Sequence, residues 1–112
     1  MGESMYPQAN RELVEKRSKL APDAEAAFRA FGQAVFKDGA LDAKTKQLIA
    51  VAVAHVTQCP YCIKGHTKSA VRQGATPEEV MEAIWVAAEM RAGGAYAHSA
   101  LALKTIDEAG GR

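Results

Sequence analysis

At 112 residues, 48% of them apolar and 24% charged, the chain has the length of one domain and an ordinary globular composition. Its net charge of +1 excludes recruitment of nucleic acid or an anionic membrane by bulk electrostatics. No apolar run approaches the ~20 residues that span a bilayer, and the polar start "MGESMYPQANRELVEKRSK" lacks the apolar stretch of a secretory signal, so the expected location is cytoplasmic.

β-branched residues occur only inside helical patterns, and the chain is predicted to be all-α, a compact bundle of about six helices. Residues around Asn10 to Lys19 form a short charged helix. Pro22 opens a second, with Phe28, Phe31, Val35 and Phe36 at the spacing of one face, and "KDGALD" stops it. Asp42 is the candidate N-cap of a third helix, Ala43 to Thr57, which contains the apolar run "LIAVAVA" from Leu48 to Ala54. A helix with no polar face is expected to be buried all round, and so short a chain has little with which to cover one, which hints at oligomerisation.

A fourth helix starts at "QCPYCIKGH" and ends at Gly74, a good residue for the C′ position. In "ATPEEV", Thr76 as N-cap, Pro77 at the first position and Glu79 two residues on form a capping box for a fifth helix. Val80, Met81, Ile84, Trp85 and Ala88 give it core spacing, and Trp85 reads as core or subunit interface in preference to a substrate box. "AGGA" at Ala92 to Ala95 is expected to break or kink that helix, leaving a last one from about Tyr96 to Glu108 and a loose "GGR" tail.

Both cysteines lie in "QCPYCIKGH". Disulfides are rare in the expected compartment, so a C-x-x-C pair points to redox or metal chemistry before a structural staple. At about 100° per residue, Cys59 and His66 fall within about 60° of Cys62 on one helical face. Lys64, Lys68 and Arg72 gather on roughly the opposite side as a solvated stripe. Pro60 suits the first helical turn and puts Cys59 at or near the N-cap, where free N–H groups and the helix dipole favour a thiolate. A pair at i, i+3 there brings its Cα atoms to about 5–6 Å, within disulfide range. His66, at i+4 from Cys62, can serve as its base.

A zinc reading uses Cys59, Cys62 and His66 with His55 or His98 as a fourth ligand, but no second ligand pair exists and paired zinc cysteines usually sit in a turn. Buried, inert thiols are the plainer alternative. Spacing and compartment favour redox, with no metal and no cofactor. His55 reads better as a satisfied core or interface histidine, and His98 stands evenly between site lining and structure.

The stretches "KTKQLIAVAVAHVTQCPYCIKGHTKSAVRQGAT" and "EEVMEAIWVAAEMRAGGAYAHSALAL" resemble the carboxymuconolactone decarboxylase superfamily, specifically its alkylhydroperoxidase D-like branch. The resemblance covers about residues 22–103 and implies a single domain over 1–112. It further implies assembly into a trimer or hexamer, with no nucleic acid or membrane partner. Cys62 would attack a hydroperoxide, Cys59 would resolve the sulfenic acid into a disulfide, and His66 would transfer the protons. A lipoyl or thioredoxin-like reductant would reopen the disulfide. Helix-dipole reasoning alone makes Cys59 the more acidic thiol; the resemblance gives the attack to Cys62.

Two positions depart from the branch's pattern. Its acidic residue, twelve before the first cysteine, falls on Gln47, which shares a strip with Val51, Ala54 and Gln58. An amide can hydrogen-bond His66 but cannot take its proton, so a weakened peroxidase that retains dithiol–disulfide oxidoreductase exchange is expected unless Glu82, Glu89 or a neighbouring subunit's carboxylate substitutes. Tyr61 stands where some members carry a histidine. The competing expectation is a decarboxylase-like or non-enzymatic small-molecule binder with an idle dithiol.

Overall fold

Capping side chains and prolines set four of the five helix starts that a computed structural model shows among the described residues. It describes residues 5–8 and 10–110, so the Met1-Gly2 start, too little for a myristoylation signal, and the last two residues of the tail lie outside the described residues. The coordinates form two compact units that divide between Asp42 and Ala43.

In the first unit, α1 (Arg11–Leu20) is capped by Asn10, whose Oδ1 accepts the Leu13 N–H at 2.9 Å. Pro22 opens α2 (Pro22–Phe36), and the two helices pack on each other. The aromatic face of α2 forms at the expected spacing, with the Phe28 and Phe31 ring centroids 6.5 Å apart. Both rings are exposed.

In the second unit, α3 (Ala43–Thr57) packs against α4 (Pro60–Arg72) and α5 (Pro77–Glu108). Val51, Ala70 and Ala75 form its centre, with Leu48, Val80 and Ile84 around them. The small side chains of Ala70 and Ala75 let the helices approach closely, and Val51 is fully buried between them. Gly74, with φ 95°, ends α4: the Ala75 N–H donates to the Ala70 carbonyl at 2.9 Å and the Gly74 N–H to that of Val71 at 2.9 Å. The Thr76–Glu79 capping box forms in both directions. Glu79 also pairs with Lys44 at 2.8 Å, which ties the start of α5 to the start of α3 and, as the main cause, lowers the Glu79 pKa.

Two expectations need correction. The third helix is not buried all round within this chain: Val51 and Ala54 are buried, but Ile49 and Val53 are 47% and 52% exposed. The reason is geometric, since α4 and α5 cover one side of a cylinder and leave the other open. The second correction concerns Gly93 and Gly94, which neither break nor kink the chain into a sixth helix; α5 runs unbroken for 32 residues. Neither glycine takes a positive φ. Each costs about 1 kcal/mol relative to alanine, and the helix formers on both sides absorb that. Trp85, 67% exposed, is not part of this chain's core. Among the described residues, no helix is long and apolar enough to cross a membrane.

Candidate dithiol site

The site begins with a turn. After Thr57 the backbone of Gln58 enters the left-handed region at φ 59°, and the Cys59 N–H folds back onto the Ala54 carbonyl at 3.1 Å. Pro60, at the first helical position, then starts α4 at once. Cys59 is thereby held as the N-cap residue in extended conformation, its sulfur accepting the Cys62 N–H at 3.3 Å. The sequence places a helix end at Thr57 and a helix start within "QCPYCIKGH", with no special backbone role for Gln58. Nothing local marks it, because glutamine is not a residue that ordinarily favours this region.

The two thiols are free and half-buried, with their Sγ atoms 2.7 Å apart. They share one hydrogen when one of them ionises. Cys62 is then the donor, because the Cys59 sulfur already accepts a backbone N–H. That bond from the Cys62 thiol is the main cause that lowers the Cys59 pKa, and the backbone N–H groups of Cys62 and Tyr61 add to it. The Cys62 pKa is raised, first by holding the proton for Cys59 and then by burial. The electrostatics therefore make Cys59 the more acidic of the two thiols, as the helix dipole alone implied.

His66 stands one turn beyond Cys62 and is half-buried. Its Nδ1 lies 2.8 Å from Oε1 of Gln47 on α3. An amide oxygen only accepts, so Nδ1 is the nitrogen that donates to Gln47. Gln47 thus orients the ring of His66 across 19 residues of sequence.

The supporting residues divide. Tyr61 contributes its backbone N–H toward Cys59, and its side chain is exposed. His55 hydrogen-bonds the Val51 carbonyl of its own helix at 2.7 Å through Nδ1, and His98 does the same to Gly94 at 2.9 Å. His98 lies on the exposed second half of α5. Among the described residues, no group of three or more His, Cys, Asp or Glu side chains is placed to hold a metal ion.

Comparison with known proteins adds to this geometry. The model of the carboxymuconolactone decarboxylase family matches residues 22–105. A protein of Paracoccus denitrificans described as uncharacterised protein 4 in the cox locus is 59% identical over 111 residues, 99% of each chain. Among solved structures, a carboxymuconolactone decarboxylase family protein from Legionella pneumophila is 41% identical over 85% of each chain, with a TM-score of 0.68. A Thermotoga maritima member of the family, described as having a possible involvement in antioxidative response, is 26% identical, with a TM-score of 0.55. That likeness covers 73% of this chain and 94% of the other.

The thiol assignments predict a split titration. Iodoacetamide, which reacts with thiolates, is expected to alkylate Cys59 with a midpoint below that of Cys62, the first shifted down from the ordinary thiol value and the second up. Lowering the Cys59 pKa extends its reactivity to lower pH, and Cys62→Ala removes the donor, so the Cys59 midpoint should then move up. Peptide mapping after brief alkylation across pH 5–10 reads both; equal midpoints at the two cysteines would refute the assignment.

Proposed function

The chain belongs to the carboxymuconolactone decarboxylase family, and we propose that within it this protein is a thiol-dependent hydroperoxidase of the alkylhydroperoxidase D-like kind. The observation that carries the reading is the dithiol on the first turn of α4, with a histidine one turn on whose ring is held by Gln47. The antioxidative description of the Thermotoga maritima relative points the same way.

In this reading Cys62, as thiolate, attacks the terminal oxygen of a hydroperoxide. The O–O bond breaks, the sulfur becomes a sulfenic acid, and the alkoxide leaves as the alcohol with a proton returned by His66. Peroxide chemistry needs that proton at the leaving oxygen, because an alkoxide is a poor leaving group. Cys59 then attacks the sulfenic sulfur, water leaves, and the Cys59–Cys62 disulfide forms. A lipoyl or thioredoxin-like dithiol reduces it. Titrating free thiols before and after one equivalent of cumene hydroperoxide tests the reading. Both thiols should disappear in the wild type, and Cys62→Ser should consume no peroxide.

A second reading rests on Gln47. An amide orients His66 but cannot stabilise its imidazolium as a carboxylate does, and a family member so equipped could bind small molecules with its dithiol idle. The substitution Gln47→Glu separates the two. A rise in peroxide turnover of about tenfold, the scale of one pKa unit of added stabilisation, marks a weakened peroxidase. No change favours the binder.

The assembly proposed is a trimer or hexamer of identical chains. Ile49 and Val53 on α3, with Met81, Trp85 and Tyr96 on α5, are large apolar side chains that the single chain leaves exposed. A second copy covers such faces by the same burial that builds a core. Sedimentation equilibrium should give three or six times the 11.9 kDa chain mass, and a monomer at micromolar concentration would dismiss it.

A further inference from the structure

We propose that the exposed basic face of α4, with Lys64, Lys68 and Arg72, docks on the exposed acidic face of α5, with Glu78, Glu82 and Glu89, of a second copy of this chain. The inference rests on the reading of an assembly of identical chains. It deepens that reading by naming the two unlike faces that meet and what their meeting does to the dithiol site.

At about 100° per residue, Lys64, Lys68 and Arg72 fall within about 80° of one another, on the side of α4 away from the buried Ala70. Glu78, Glu82 and Glu89 fall within about 40°, on the side of α5 away from the buried Ala87. All six side chains are exposed. The ion pairs of the fold form elsewhere, at Arg11–Glu15, Glu25–Arg29 and Lys44–Glu79, and among the described residues none involves any of the six. Like charges one turn apart repel and weaken the helix that carries them. Each stripe therefore gains from an opposite charge laid along it. One chain does not bring the two together, because α4 and α5 both pack on α3 with these sides turned outward.

The stripes match in length and in chemistry. Lys64 to Arg72 spans about 12 Å of helix, and Glu78 to Glu89 about 16 Å. Trp85 and Tyr96 stand on the acidic side of α5, both exposed, and their ring faces suit an ammonium or a guanidinium group. An acidic partner of another kind would match α4 and leave the acids of α5 unmatched, whereas a second copy matches both. Because the contact joins unlike faces, it repeats from copy to copy and closes into a ring, which suits assembly in threes or sixes. Tyr61, between the two cysteines in sequence, lies on the same side of α4 as the three cations and is exposed. The neighbour's α5 thus forms a wall beside the dithiol, and assembly narrows the approach to the sulfurs from that side.

Charge reversal tests the contact, read by sedimentation across a dilution series at low salt. The pair Lys64→Glu with Lys68→Glu, and separately the pair Glu82→Lys with Glu89→Lys, puts like charges across the contact. Each should raise the concentration of half-dissociation about tenfold or more. The chain carrying all four substitutions restores opposite charges and should return to the wild-type value. As a check independent of variant folding, the wild-type protein is treated with a water-soluble carbodiimide, which joins a lysine amine to a carboxylate it touches. Peptide mapping of the covalent dimer should link Lys64 or Lys68 to Glu78, Glu82 or Glu89. Wild-type-like assembly of both reversed pairs, no recovery in the fourfold variant, or dimer links that avoid these residues overturns the inference and leaves the assembly reading standing. A wild-type chain that sediments as a monomer throughout sinks the assembly reading and this inference with it.

Discussion

The left-handed turn at Gln58 is the constraint from which the dithiol site follows. A helix that ended without it would carry Cys59 onward in some other direction, and Pro60 would have no ordered first turn to open. With φ at 59°, the chain reverses within two residues and the Cys59 N–H caps the Ala54 carbonyl. A residue with a β-carbon in that region costs about 1–2 kcal/mol, and the neighbouring hydrogen bonds and packing hold it there. What the turn fixes is the N-cap identity of Cys59, and with it the backbone N–H groups that favour its thiolate.

The same turn sets the register of α3 against α4. Ala54 meets Cys59 at the turn, and Gln47 meets His66 seven residues further back on α3 and seven further on along α4. Seven residues are two turns on each helix, about 10.5 Å, so the two contacts belong to one antiparallel alignment. Ala70 and Val51 keep the helices at the separation this requires. The Gln47–His66 hydrogen bond is therefore a consequence of core packing as much as of two polar side chains. The two sulfurs take opposite shifts for a related reason. One proton and one set of amides serve both, so whatever stabilises the thiolate on Cys59 withholds it from Cys62.

Much of this was legible in the chain before any coordinates. The capping box at Thr76–Glu79, the stop at Gly74, the Pro22 and Pro60 helix starts and the shared face of Cys59, Cys62 and His66 are local. Each depends on residues within a turn or two, and helical periodicity suffices to place them. The misreadings came from features that local rules cannot weigh. Gly93 and Gly94 sit in a long helix whose other residues outvote them. The apolar run of α3 gives its hydrophobicity but not how much of it the rest of one chain can cover, which is why Ile49 and Val53 remain open. His55, read as a satisfied histidine, bonds a carbonyl of its own helix, and His98, evenly balanced between site and structure, does the same.

By itself, then, the sequence determined the all-helical class, the family, and the presence of two thiols and an imidazole on one helical face. The class and the shared face follow from composition, spacing and short-range backbone preference, and the family from the likeness of whole stretches of the chain. The tertiary structure alone decided that Gln58 turns left-handed, that the Lys44–Glu79 ion pair joins α3 to α5, and that Gln47 reaches His66 through its oxygen. Those outcomes depend on distances between atoms far apart in the chain or on a backbone angle that glutamine does not advertise, and only the packing of α3, α4 and α5 against one another brings them about.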